Sequence, residues 1–339
     1  MLTMPLSYTD VEPLPRVAFW PDHLFRGAVT MVVGPEGEGK GLIGVHATAV
    51  TVRGGLFPGE SEQENRERTP GSVLVAQPED DANEDVAPRL RGAVDGQGLT
   101  DAEQQHVYDI TEDADRKRFN LNDQDSLDRA RAIIYALACC DGKPGVFCSC
   151  QKCEEPGHEH PLHDRAQLPV QLMVLDPLYA LCDKINVGPP MRAAMMNIMD
   201  LARETGIAVL IIHHLTGDGK QVAGSVEIRR TLRLIFEVGR SKQMPGGGDI
   251  VVRYLRKKKG NTTGKLDTLF YSITQNALGQ PFLVWTNPDA DPKPVAPARG
   301  AVPGWVTQRR NAELAAGRTL DLGAAAGRVA RGARAGWRK

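Results

Sequence analysis

Residues Gly34-Pro35-Glu36-Gly37-Glu38-Gly39-Lys40-Gly41 constrain this chain more than any other stretch. They follow the apolar run Ala28–Val33 and precede a segment that reads as a helix from Leu42 to about Val52. A buried strand that turns through a glycine-rich loop straight into a helix aims loop amides and the positive helix end at one point. That arrangement cradles phosphate, and a lysine adds a point charge for the β- and γ-phosphates. Seven of the eight positions fit G-x-x-x-x-G-K-[ST]. The exception is Gly41, which stands where a Ser or Thr hydroxyl would hold Mg²⁺. Gly34, Pro35, Glu36, Gly37, Glu38, Gly39, Lys40, Gly41 and Leu42 are therefore the candidate nucleotide-binding set.

Two other readings compete for the same loop. Gly39, Gly41 and Gly44 also spell G-x-G-x-x-G, the start of a dinucleotide site. That site needs an acidic residue ending a second strand about 20 residues on. The next strand-like run, Ser72–Gln77, comes much later, and Lys40 would have no role. A plain glycine-rich turn with an exposed lysine is the other alternative.

With 339 residues, the chain has enough core for one large domain or two modest ones. Lys+Arg 41 against Asp+Glu 42 excludes a uniformly basic nucleic-acid binder, so any such role must rest on local patches. No apolar run reaches membrane-spanning length, and the first residues lack a charged-then-apolar leader. The expectation is a soluble cytoplasmic protein with no membrane partner.

The chain divides by composition into a Pro- and aromatic-rich lead segment (1–27), a main α/β domain (28–286) and a C-terminal segment (287–339). The last is a Pro/Ala linker followed by an Arg-rich tail expected to be disordered, with eight Arg and one Lys against Glu313 and Asp321 from Arg299 onward. Within the main domain, residues 139–168 form a Cys/His-rich insertion. Cys150-x-x-Cys153 has the spacing of a zinc knuckle, so Cys150 and Cys153 with two histidines, such as His158 and His163, are candidate ligands for structural zinc. The alternative is a polar insertion that holds no metal.

Three strand ends offer chemistry. Ser72–Gln77 leads into Pro78-Glu79-Asp80-Asp81, where Glu79 is a candidate either to activate a water or only to cap the following helix, and Asp80 and Asp81 are expected to cap it. Val170–Leu175 delivers Asp176, expected beside the first strand, to hold Mg²⁺ directly or through water. Ile207–Ile212 ends in His213-His214, and a polar group there could contact a γ-phosphate or simply be a satisfied core histidine. Helices are predicted over Ser126–Ala138 and around Met191–Ala202. A glycine-rich loop, Leu215–Ser225, carries Lys220, and six basic residues with no acid lie between Arg253 and Lys265.

Taken together, Gly34–Gly41, Val73–Asp81, Leu175–Leu178 with Asp183 and Asn186, Ile211–His214, Ala223–Ser225 and Arg256–Asn261 resemble the RecA-like ATPases of the RepA type, the AAA-type hexameric helicase group of plasmids, phages and other mobile elements. The resemblance spans about Ala28 to Thr274 and includes DnaB-like features. It implies a RecA-like P-loop NTPase core: a mostly parallel twisted sheet flanked by helices, with a strand-rich C-terminal part. It also implies ATP and Mg²⁺ as cofactors, a homo-oligomer such as a hexameric ring, hydrolysis between subunits, and single-stranded DNA as partner. On that resemblance Lys40 grips the β/γ-phosphates, Glu79 is the catalytic base, Asp176 serves Mg²⁺ and His214 senses the γ-phosphate. Lys257 and Lys259 then reach the neighbouring subunit's nucleotide, Lys259 standing in for an arginine finger, and the loop Gly217–Ser225 faces the channel. The function implied is a DNA-dependent ATPase, helicase or translocase, in replication of a mobile element. The competing readings are a nucleotide-dependent DNA-binding switch with little turnover, as Gly41 suggests, and a small-molecule phosphotransferase.

Overall fold

The computed structural model describes residues 16–60, 68–92, 96–138, 168–241, 251–260 and 268–286. The candidate zinc ligands Cys150, Cys153, His158 and His163 and the Arg-rich tail lie outside the described residues.

Eleven strands and six α-helices follow in chain order among the described residues: β1 (Ala18–Trp20), β2 (Leu24–Phe25), β3 (Val29–Gly34), α1 (Lys40–Arg53), β4 (Ser72–Ala76), α2 (Ala87–Leu90), α3 (Asp101–Gln104), β5 (Val107–Asp109), α4 (Gln124–Ala136), β6 (Val170–Leu175), α5 (Gly188–Thr205), β7 (Ala208–His214), α6 (Val226–Thr231), β8 (Leu234–Arg240), β9 (Arg253–Gly260), β10 (Leu269–Gln275) and β11 (Pro281–Thr286). β1 and β2 pair as a small antiparallel ribbon, and the other nine strands form one sheet in the order β11-β10-β9-β8-β3-β7-β6-β4-β5. From β8 to β5 the pairs are parallel, while β8 to β11 continue the sheet antiparallel. This is a mixed α/β, RecA-like P-loop core with a large, mostly parallel sheet flanked by helices. Among the described residues no helix is long and apolar enough to cross a membrane.

Strands covered on both faces read as unbroken apolar runs, which is why β3, β6 and β7 stand out in the sequence. On one face α4 and α5 bring Leu127, Ala130, Ile134, Met191, Met195 and Ile198 onto Met31, Met173, Val209 and Ile211. Met191, Met195 and Ile198 are fully buried, and each such side chain contributes about 1.5–3 kcal/mol by leaving water. On the other face α1 and the β1–β2 ribbon pack Ile43, Ala47, Phe19 and Trp20 on Val32, Leu172, Leu210 and Phe236. The β1–β2 ribbon is tied to the first sheet strand and to the chain after α1: Thr30 Oγ1 donates to the His23 carbonyl at 2.9 Å, and Trp20 stacks on Phe57.

Two expectations need correction. Asp176 does not arrive beside the first strand, because β7 lies between β3 and β6. Asp80 does not cap the helix that follows. Its carboxylate pairs with Arg89 at 2.5 Å, while Asp81 alone accepts from the Asn83 and Glu84 amides and caps a π-helical turn, Ala82–Val86. The β1–β2 ribbon, α3 and β5 are elements that periodicity misses because each is four residues or shorter. The Thr100–Glu103 capping box at α3 was the local signal available.

Candidate nucleotide-binding site

β3 carries the chain into the loop at Gly34, which lies in register with His214 of β7. A Cβ on Gly34 would fall onto the Val238 side chain and within 2.8 Å of its carbonyl oxygen, so the close approach of β8 requires glycine. Gly37 and Gly39 take φ values of 73° and 82°, the left-handed region that favours glycine, as the loop turns into α1. No side chain caps the N-terminus of α1 and no acid sits in its first turn, so its positive end is left for an anion. Lys40 opens the helix, and its Nζ donates to the Pro35 carbonyl at 2.6 Å. Burial pulls the Lys40 pKa down, and the Asp176, Glu36 and Glu38 charges oppose that shift.

Asp176 follows β6 with its amide donating to the Ala76 carbonyl at 3.0 Å. Its Oδ2 lies 3.0 Å from where a Cβ on Gly41 would sit, so the glycine without a hydroxyl abuts this carboxylate directly. Desolvation, reinforced by Asp80, pushes the Asp176 carboxyl up to about 7, against the pull of Lys40, Gln77 and Arg89. One carboxylate beside a phosphate cradle fits Mg²⁺, which is commonly held by one or two carboxylates, water and substrate phosphates.

Glu79 is exposed just past β4, and desolvation, Asp80 and Glu36 raise its pKa. His214 is lowered by burial and by Lys40, with Glu36 opposing. Its neighbour His213 is fully buried, with Nε2 3.0 Å from the Ala223 carbonyl, and burial holds it down at about 4. The Tyr179 ring lies 5.6 Å from that of His214. The sheet thus brings Lys40, Glu79, Asp176 and His214 to one edge, the C-terminal ends of β3, β4, β6 and β7, where a parallel sheet opens its ligand crevice.

Lys257 and Lys259 are elsewhere, on β9. Lys259 Nζ donates to the Leu232 carbonyl at 2.7 Å and to that of Arg229, so it caps the C-terminal end of α6 in its own chain. Lys258 and Arg256 both pair with Glu237 of β8. The loop Gly217–Ser225 is a compact turn: Leu215 bridges Val222, and the Ala223 amide donates to the His214 carbonyl at 3.1 Å. Lys220 at its tip is exposed.

Sequence reasoning placed Glu38 in the loop but missed what holds it. Its carboxylate is paired with Arg240 at 2.7 Å and Arg253 at 3.0 Å, and its carbonyl accepts from the buried Tyr271 hydroxyl at 2.7 Å. These partners lie more than two hundred positions downstream, where no local pattern links them to the loop. Among the described residues no group of three metal-ligating side chains gathers, which leaves the zinc expectation without support there.

Residues 5–146 match the family model of an AAA domain. The match covers the phosphate loop, α1 and Glu79, and stops before Asp176, His214 and the basic strand. It implies a P-loop ATPase module that uses nucleotide and Mg²⁺. No curated protein matches the chain.

Proposed function

We propose that this protein is an ATP-binding, DNA-dependent ATPase, a helicase or translocase that works as a homo-oligomeric ring in replication of a mobile element. The observation that carries the hydrolytic part is the convergence of Lys40 at the start of α1 with Glu79, Asp176 and His214 at the ends of β4, β6 and β7. Loop amides and the α1 terminus bind the phosphates, and Lys40 leaves the Pro35 carbonyl to follow charge on the β/γ-oxygens. Glu79 orients the attacking water and takes its proton, a role that a raised carboxyl pKa favours. Asp176 would hold Mg²⁺, which when bound neutralises phosphate charge. His214, neutral at physiological pH, offers an N–H or a lone pair to the γ-phosphate and links it through the Ala223 amide contact to the Gly217–Ser225 turn. DNA would meet that turn and the basic strand β9.

A second reading is favoured by one observation. Gly41 supplies no hydroxyl to the metal, so the protein could bind ATP and switch its hold on DNA with little turnover.

ATP hydrolysis measured with and without single-stranded DNA separates these readings. The first expects turnover that DNA stimulates and that Lys40→Ala abolishes; turnover indifferent to both rejects it. Nucleotide binding without turnover supports the switch. Strand displacement on a forked duplex then divides helicase from simpler translocase.

A further inference from the structure

We propose that Glu38 is a positioning residue of the phosphate loop: clamped between Arg240 and Arg253, it sets the loop in the shape that receives a nucleoside triphosphate. The inference rests on reading the loop as a triphosphate site, and it assigns the antiparallel half of the sheet a part in that site.

A carboxylate is an unexpected neighbour for a polyphosphate, since like charges repel. Glu38 is nonetheless buried, 5 % exposed, beside Lys40 at 6 %. Its two oxygens are taken separately, Oε1 by Arg240 at the end of β8 and Oε2 by Arg253 at the start of β9. The trio carries one net positive charge, so Glu38 brings no net negative charge to the loop.

The backbone is held as well. Tyr271 of β10 reaches the Glu38 carbonyl, and a Cβ on Gly39 would meet Ile273 of β10 at 2.8 Å and Leu283 of β11 at 3.7 Å. Positions 38 and 39 are thus fixed from β8, β9, β10 and β11, while a Cβ at Gly37 meets nothing within 4 Å. The loop is anchored at the helix end and open at its tip. Fixing a loop before the ligand arrives removes ordering cost from binding.

A charge role and a positioning role predict opposite signs. If Glu38 acted only as a negative charge, Glu38→Gln would tighten ATP binding. If it positions the loop, Glu38→Gln weakens ATP binding, by about tenfold for a lost charge-assisted clamp.

The test uses the full chain and a fluorescent ATP analogue, with thermal unfolding recorded for every variant. The expected result is a tenfold rise in Kd for Glu38→Gln, a similar rise for Arg253→Gln, and a double variant no worse than either, because both break one clamp. In steady state KM rises by the same factor while kcat is retained, the signature of lost uniform binding. Wild-type or tighter binding by folded Glu38→Gln overturns the proposal. If that variant does not fold, Arg240→Gln decides, since the Arg240 side chain is 65 % exposed and tolerates change: a raised Kd supports the clamp and an unchanged Kd rejects it. A wild-type protein that binds no ATP would instead reject the triphosphate reading itself.

Discussion

Gly41 shows how a single atom group changes the argument at a strand edge. Its backbone is helical, so serine there meets no dihedral penalty, and the only neighbour of an added Cβ is Asp176 Oδ2 at 3.0 Å. The carboxylate must yield by a few tenths of an ångström, a small cost for a half-buried side chain. Gly41→Ser is expected to keep stability within about 1 kcal/mol of wild type and to lower the Mg²⁺ concentration that half-saturates hydrolysis. An unchanged Mg²⁺ titration would mean that the hydroxyl is irrelevant here. Two desolvated groups, half-buried Asp176 and fully buried His213, give a pH prediction whose signs oppose. Asp176 is held up at about 7 from its usual 3.8, so between those values the folded state keeps a proton that the unfolded state has lost, and stability falls as pH rises. His213 is held down at about 4 from its usual 6.5, so in that window the unfolded state holds the extra proton, and stability rises with pH. Each slope approaches about 1.4 kcal/mol per pH unit, and between about pH 4 and 6.5 they offset. Denaturant unfolding across that window is expected to show a decline with pH in His213→Asn and a rise in Asp176→Asn. Flat profiles in both would refute this account of their burial.

At the scale of elements, two contacts decide how strands and helices meet. Gly34 lets β3 approach β8 so closely that a methyl group would strike the Val238 side chain and carbonyl. Gly34→Ala should cost about 1–3 kcal/mol through overpacking and lower the denaturant midpoint. A midpoint equal to wild type would show that the two strands part freely. Lys259 places its ammonium on the last carbonyls of α6, where a cation favours the negative end of a helix. Lys259→Ala is therefore expected to lower thermal stability by up to about 1 kcal/mol. Loss of turnover with unchanged unfolding would instead favour the role the family resemblance implies, a lysine serving a neighbouring subunit. The helices and long strands were legible because their apolar period is strong: the predicted Val170–Leu175 coincides with β6, and Ser126–Ala138 overlaps α4 with its ends shifted by two residues. Short elements such as β5 and α3 carry too few residues for a period to emerge, and only their caps betray them.

For the whole molecule, a site that works between subunits makes activity depend on concentration. If hydrolysis is completed by a neighbour, specific activity should rise with protein concentration until a ring forms, in step with the mass seen by light scattering. Constant specific activity down to a dilute monomer would reject the ring.

The sequence by itself determined the phosphate loop, the strand-end placement of Glu79, Asp176 and His214, and the mixed α/β class, because each depends on residues adjacent in the chain. Only the tertiary structure decided that β7 separates β3 from β6, that Asp80 pairs with Arg89 rather than capping, that Lys259 caps α6, and that Glu38 is clamped by Arg240 and Arg253. Those facts are set by strand order and by pairs of charges remote in sequence. A local pattern records which residues can bury or cap, but not which distant partner the sheet will bring to them.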